Sequence, residues 1–298
     1  MFELIIPTFN NPTYFKKFIT QIDNYDFTKI EILDNNSEYR PMVELLNQLQ
    51  EQENITIKKL KANYGPHYAL RNPEIYASLD QVFCLSDSDI EFSKTLPEDF
   101  LKTLFDISEE YKIGKVGFAI AIPELEDLTT PFVFMDGKLK NIQIWEEQFW
   151  REIVGRTKYD DPIYKATIDT TFALYNKKYF DPNDRYTAFR VAGNFTSRDL
   201  GFSHDKYVDE DELKFYKEKS RYSYFSGNYD TYGNPVVQLS VLEYTRMVEK
   251  LESLERDILR LAFERDNLNL NLTKLYGSRS WQLTKPLRSI LKVFRKDN

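Results

Sequence analysis

The chain is poor in the residues that build disulfides, thiolate metal cages and disordered tracts. Its 298 residues hold one cysteine, two histidines, ten glycines and twelve prolines. A single cysteine, Cys84, excludes an internal disulfide and any cysteine-based zinc site. It stands in an apolar run and reads as a small core residue. So little Gly and Pro argues against long low-complexity segments. No stretch approaches the ~20 apolar residues that a membrane span needs. The opening MFELIIPTFNN has neither a basic n-region nor a long apolar core, so no secretory signal is predicted. Positive charge is also in deficit, with a net charge of −7. Phosphate backbones select basic faces, and nucleic acid is not expected as a partner. These absences predict a cytoplasmic protein, or one peripheral to the inner membrane face.

What is present is alternation. FELIIPTF (2–9) is a short apolar run closed by a proline-containing turn, the pattern of a buried strand. PTYFKKFITQID (12–23) spaces its apolar residues as an amphipathic helix does. KIEILDN (29–35), ITIKKLKAN (55–63) and QVFCLSD (81–87) predict further strands. MVELLNQLQEQ (42–52) and the broken YALRNPEIYASL (68–79) predict the helices between them. Strands alternating with helices predict an α/β fold, a mostly parallel sheet with helices on both faces. Ligands of such sheets bind beyond the carboxyl ends of the strands. Polar clusters fall at those ends: Thr8-Phe9-Asn10, Asp34-Asn35-Asn36-Ser37, Asn63-Tyr64-Gly65 and Asp87-Ser88-Asp89. Four in succession predict one polar crevice. Farther on, 115–122 and 168–180 predict strands, 188–205 a loop beside the crevice, and 206–227 a solvated helix followed by a loop.

Asp87-Ser88-Asp89 is the sharpest feature. Burying two like charges costs free energy unless something positive holds them. A solvated turn is one solution. The other is a hard divalent cation, Mg²⁺ or Mn²⁺, bridging oxygen ligands to a diphosphate. Asp89 is the direct ligand in that reading, with Asp87 on the metal, its water or a ribose.

Composition shifts after about residue 238 and divides the chain into 1–237, 238–276 and 277–298. Tyr244, Leu251, Ile258 and Leu272 share one position of a seven-residue frame. Met247, Leu254, Leu261, Leu268 and Leu275 share another. A sustained seam of this kind predicts a coiled coil and a homo-oligomer formed through 244–275, with one long helix folded back on the first domain as the alternative. The tail 277–298 mixes Arg279, Lys285, Arg288, Lys292, Arg295 and Lys296 with Trp281, Leu287, Ile290, Leu291 and Phe294. That is the composition of a segment lying on an anionic bilayer surface, or of a helix packed on its neighbour with its basic side in water.

The motifs LIIPTFNN, ILDNNS, NYGPHYALRN and LSDSD follow one another across the first 90 residues. In that order the chain resembles a family 2-type glycosyltransferase of GT-A fold. IDTTFALYNKKYF, FRVAGNFTSRDLGF and the ending YGSRSWQLTKPLR resemble a bacterial surface-polysaccharide subgroup. The resemblance implies transfer of a sugar, with inversion, from a nucleotide-diphosphate sugar to a saccharide or lipid-linked saccharide acceptor. It places Pro7, Thr8, Asn10, Asp34 and Asn36 around the nucleoside, and Asn63, Gly65, Arg71 and Asn72 near nucleotide and sugar. Asp87 and Ser88 join that pocket, and Asp87, Asp89 and a late histidine, His204, would hold Mn²⁺ or Mg²⁺. His67 would meet a phosphate or a sugar hydroxyl. The acceptor's proton needs a base, and Asp169 and Asp199 are the candidates, with Asp169 preferred. Asp199-Leu200-Gly201-Phe202 stands where the subgroup carries a His-Leu-Pro-Trp-like sequence, and the usual Glu-Asp acceptor signature is absent. A non-catalytic coiled-coil assembly protein is therefore the alternative. A sugar nucleotidyltransferase is another, although PTFNNPTYF lacks the glycine-rich basic loop such enzymes carry after strand one.

Overall fold

A computed structural model describes residues 2–124, 127–128, 132–135, 138–184, 186–220, 237–239 and 241–286. The chain divides into two compact units, Met1–Val241 and Leu242–Asn298.

The first unit opens with β1 (Phe2–Thr8), α1 (Pro12–Ile22), β2 (Phe27–Asp34), α2 (Arg40–Leu49), β3 (Ile55–Lys59), α3 (Tyr68–Arg71), α4 (Pro73–Ser78) and β4 (Val82–Leu85). β1 pairs in parallel with β2 on one side and β4 on the other, and β2 pairs in parallel with β3. Successive side chains of a strand point to opposite faces, and β1 shows the consequence. Leu4 and Ile6 join Phe15, Phe18 and Met42 in one apolar cluster, while Ile5 joins Leu70, Ile75 and Phe83 in the other. The sheet is thus covered on both faces, which is why β1 and β4 carry continuous apolar runs, Leu4–Ile6 and Val82–Leu85.

Local chemistry sets the helix boundaries. Pro12 occupies the first turn of α1, where a missing N–H is harmless. Phe15, Phe18, Ile19 and Ile22 recur on its buried side. The broken third helix is broken at Pro73: Asn72 turns extended there, and its side chain accepts the Ile75 N–H at 3.0 Å to cap α4.

The chain continues through β5 (Ile90–Glu91), α5 (Phe100–Tyr111), β6 (Lys115–Phe118), β7 (Phe132–Met135), β8 (Lys138–Asn141) and α6 (Ile142–Glu147). It goes on through β9 (Ile153–Arg156), β10 (Pro162–Lys165), β11 (Ala173–Asn176), β12 (Phe189–Val191) and β13 (Arg198–Asp199). α7 (His204–Tyr207), α8 (Glu210–Lys219) and β14 (Val237–Leu239) follow. The main sheet has the order β3-β2-β1-β4-β11-β6-β12-β10-β9. It is parallel from β3 to β4 and mixed beyond, because β11 runs antiparallel to both β4 and β6.

Three expectations need correction. The strand expected over 168–180 shrinks to β11, since residues 169–172 bend along the cavity. The segment 188–205, expected as a loop, contributes β12 to the sheet, between β6 and β10. Its buried arginine, Arg190, interrupts the apolar run that would have announced a strand. The helix expected to be solvated, α8, buries Glu212 and lines the cavity.

In the second unit, α9 (Val241–Gly277) is one continuous helix, followed by α10 (Arg279–Leu283). Leu251, Leu254, Ile258, Leu261, Leu268, Leu272 and Leu275 are exposed along α9. Residues 287–298, with most of the basic tail, lie outside the described residues. No helix among the described residues is long and apolar enough to cross a membrane.

Candidate active site

The strand order turns back between β1 and β4, and a cavity of about 430 Å³ opens beyond their carboxyl ends. Its size falls within the ~300–1,000 Å³ of small-molecule sites. β1 delivers Pro7 and Thr8, β4 delivers Asp87, Ser88 and Asp89, and the segment before β11 delivers Asp169 and Thr170. Thr8 Oγ1 donates to Asn11 Oδ1 at 3.0 Å, and Asn11 Nδ2 donates to Ser88 Oγ at 2.9 Å. These bonds tie the first turn to the acidic triplet.

Two devices bring the four aspartates together. The Asp87 N–H donates to the Thr170 carbonyl at 2.8 Å, extending the β4–β11 pairing, and the Thr170 hydroxyl donates to the Asp87 carboxylate. That sets Asp169 beside the triplet. On the other side, β5 pairs antiparallel with β13, aligning Asp199 with Ile90, and the Leu200 N–H reaches the Asp89 carbonyl at 2.9 Å. Gly201 sits where these carboxylates converge: a Cβ there would stand 2.9 Å from Asp199 Oδ1 and 2.9 Å from Asp89 Oδ2. Arg198 does not neutralise Asp199; it pairs with Glu91 at 3.2 Å.

Crowding shows in the protonation equilibria. Burial, then the Asp89 charge, pushes the Asp87 carboxyl well above the ordinary carboxylate range, against the opposing hydrogen bond from Thr170. Asp199 is pushed up likewise by burial and then by Asp89 and Asp87. Burial pushes Asp89 up to about 6. Tyr14, whose hydroxyl donates to the Leu200 carbonyl at 3.1 Å, is raised by burial and by the charges of Asp89 and Asp199. Three crowded carboxylates, all raised by burial and two of them further by their neighbours' charge, are a donor set suited to a hard cation. Among the described residues no three His, Cys, Asp or Glu side chains form a ready-made metal cage. One or two carboxylates completed by substrate phosphates is the usual arrangement for Mg²⁺, and the residues present fit it. The His204 side chain lies outside the described residues.

The other residues singled out from the sequence separate into two groups. Asn63, Gly65 and Arg71 line the cavity with Pro7, Thr8, Asp87, Ser88, Asp89, Asp169 and Asp199. Gly65 adopts φ +82°, and its N–H is held by Asn63 Oδ1 at 3.0 Å, a turn that suits glycine. Asn10, Asp34, Asn36 and Asn72 do not line it. Asn10 accepts the N–H groups of Glu38 and Tyr39 at 2.8 Å each, and Asp34 accepts that of Ser37 at 2.8 Å. Asn36 takes φ +65° in the same turn, and Asn72 caps α4. Their bonds shape the walls. His67, expected on a phosphate or a sugar hydroxyl, lines the cavity and meets Asp169 at 2.8 Å.

Several cavity residues carry no sequence signal. Glu212 of α8 accepts from the Thr13 N–H at 3.2 Å and from the Thr13 hydroxyl at 2.7 Å, docking α8 on the first turn of α1. Burial raises its carboxyl above the ordinary range. This docking sets Tyr216 against Phe9, ring centroids 6.3 Å apart. Across the cavity Arg190 is buried, paired with buried Glu146 at 3.0 Å and stacked 4.0 Å over Phe149. Burial pushes both partners toward neutrality, and their mutual pairing opposes it. Lys115, 1% exposed, donates to the carbonyls of Ile168 at 2.6 Å and Asp169 at 3.0 Å. Only the tertiary fold brings these side chains to one place.

Residues 3–181, more than half of the chain, match the family model described as Glycosyl transferase family 2. No curated protein matches the chain significantly. Among solved structures, S. aureus TarS 1–349 is 15% identical over 49% of this chain and 48% of its own, with a TM-score of 0.32. The mannosyltransferase PcManGT from Pyrobaculum calidifontis, in complex with GDP-Man and Mn²⁺, is 11% identical over 64% of this chain and 56% of its own, with a TM-score of 0.39. GalNAc-T7 with UDP, GalNAc and Mn²⁺ is 14% identical over 72% of this chain and 49% of its own, with a TM-score of 0.42. The chain spans about half the length of each.

Proposed function

Since the chain belongs to glycosyl transferase family 2, we propose that it transfers a sugar, with inversion, from a nucleotide-diphosphate sugar to a saccharide hydroxyl during surface-polysaccharide assembly. Beside family membership, one observation carries this reading: the convergence of Asp87, Asp89, Asp169 and Asp199 on one cavity with Pro7, Thr8, Asn63, Gly65 and Arg71. The acceptor oxygen forms a bond to the anomeric carbon, the bond from that carbon to the diphosphate oxygen breaks, and the nucleoside diphosphate leaves with the electron pair. The acceptor's proton passes to the Asp169 carboxylate, the most exposed of the four and so the one open to an incoming hydroxyl. Asp87 and Asp89 would hold Mn²⁺ or Mg²⁺, with Asp199 beside them. When bound, the cation neutralises charge gathering on the leaving diphosphate. Phe9 and Tyr216 form the wall for the nucleoside. The exposed leucine seam of α9 supports self-association, and the basic tail after residue 277 supports contact with the inner membrane face.

UDP-, GDP-, CDP- and dTDP-sugars, screened for thermal stabilisation with Mn²⁺, test the reading, because a true donor binds only the folded protein. One donor should stabilise the chain and release nucleoside diphosphate. Asp89→Ala should lose both effects, and a chain ending near residue 238 should keep them. Stabilisation by none of the donors, with or without metal, would favour a non-catalytic assembly protein.

A further inference from the structure

Asp169 is a demanding residue to place. It stands at the cavity mouth with its side chain 59% exposed, where a carboxylate on an unbraced segment would sample several rotamers. Two buried groups from different elements hold it. Lys115 grips the main-chain carbonyls at 168 and 169 from beneath. His67, only 11% exposed, places Nε2 2.8 Å from Asp169 Oδ1. The imidazole is itself set by its surroundings. The turn at Gly65 and the start of α3, where the His67 carbonyl accepts from Leu70 N–H at 3.0 Å and Arg71 N–H at 3.1 Å, fix its backbone. Nδ1 is buried without a partner. Among the described residues, the contact the ring does make is Nε2 on the carboxylate.

From this geometry we propose that His67 is a positioning residue whose Nε2–H aims the Asp169 carboxylate at the acceptor hydroxyl. The proposal rests on the reading of Asp169 as the base, and it adds no chemical step: the proton still passes from the acceptor oxygen to Asp169. The imidazole keeps its own proton throughout. Its contribution is orientation, and a misplacement of about 1 Å at a reacting group costs on the order of 100-fold in rate.

The test uses the full chain, Mn²⁺ and the panel of UDP-, GDP-, CDP- and dTDP-sugars, with water as acceptor and release of nucleoside diphosphate as readout. His67→Ala should lower kcat by about 10- to 100-fold while leaving stabilisation by the donor unchanged. His67→Gln, which keeps an N–H donor, should recover most of the loss, and His67→Ala combined with Asp169→Asn should be no slower than Asp169→Asn alone. A turnover-independent measurement accompanies it. With two histidines in the chain, ¹⁵N NMR of the imidazoles should show His67 as the Nε2–H tautomer, a preference that Asp169→Ala abolishes. An inactive Asp169→Asn with His67→Ala at full rate would overturn the positioning role alone. Equal losses of rate and of thermal stability in the Ala and Gln variants would also overturn it, by marking a packing role. So would a tautomer indifferent to Asp169→Ala. Near-normal turnover of Asp169→Asn would instead overturn the base assignment beneath it.

Discussion

Replacing Asp89 by asparagine should stabilise the metal-free protein while destroying its use of a metal. The Asp89 carboxyl moves from an ordinary 3.8 to about 6, chiefly through burial. Each pKa unit corresponds to about 1.4 kcal/mol, so the ionised form costs roughly 3 kcal/mol of stability at most. The charge of Asp89 adds to the burial that raises Asp87 and Asp199. A gain of about 1–3 kcal/mol is therefore expected for Asp89→Asn at neutral pH. The sign follows from linkage. A carboxyl whose folded pKa is raised stabilises below its unfolded pKa, and that stability is lost as pH rises through the folded value. Wild-type stability in EDTA should thus fall between about pH 4 and pH 7, and the advantage of Asp89→Asn should open over the same interval. At roughly 2–4 °C per kcal/mol, thermal unfolding followed by circular dichroism would register several degrees. Mn²⁺ should raise the wild-type Tm and leave that of the variant unmoved. A variant no more stable than wild type in EDTA at neutral pH would refute the account of the acidic cluster as electrostatically unsatisfied.

Three other perturbations probe separate parts of the molecule. Gly201→Ala places a methyl 2.9 Å from two carboxylate oxygens; it should weaken Mn²⁺ stabilisation by about tenfold with little change in metal-free Tm, and unchanged metal titration would count against the convergence of Asp89 and Asp199. Glu212→Ala leaves the Thr13 N–H and hydroxyl without their acceptor, which should cost about 1–3 kcal/mol and weaken nucleotide binding through the loosened α8. Nucleotide titrations matching wild type would remove α8 from the binding wall. Ending the chain near residue 238 should lower the number of protomers per particle measured by light scattering, and an unchanged number would defeat self-association through α9.

The N-terminal half of the fold was legible because its elements are defined by near neighbours. Apolar runs such as FELIIP, the Pro12 and Pro73 boundaries and the period of Phe15, Phe18 and Ile22 each need only a few residues to be recognised. Asp87-Ser88-Asp89 stood out for the same reason: charge at the end of an apolar strand is locally anomalous. β12 escaped notice because Arg190 interrupts its short apolar run, and the arginine is tolerated in the core by partners distant in sequence: Glu146, 44 positions away, the Thr167 carbonyl and the Phe149 ring. α8 looked solvated because its sequence is charged, and Glu212 becomes a buried group only by meeting Thr13 199 positions away.

Taken alone, the amino-acid sequence determined the strand–helix alternation, the acidic triplet and the family to which the chain belongs. It also marked Asp169 and Asp199 as carboxylates in want of a task. Tertiary structure decided which groups stand beside them: Thr170 on Asp87, Gly201 between Asp89 and Asp199, Lys115 beneath Asp169 and His67 against its carboxylate. The division has a physical cause. Strand and helix preferences act over a few residues along the chain, whereas a hydrogen bond between His67 and Asp169 exists only after the sheet has closed a loop of about a hundred residues.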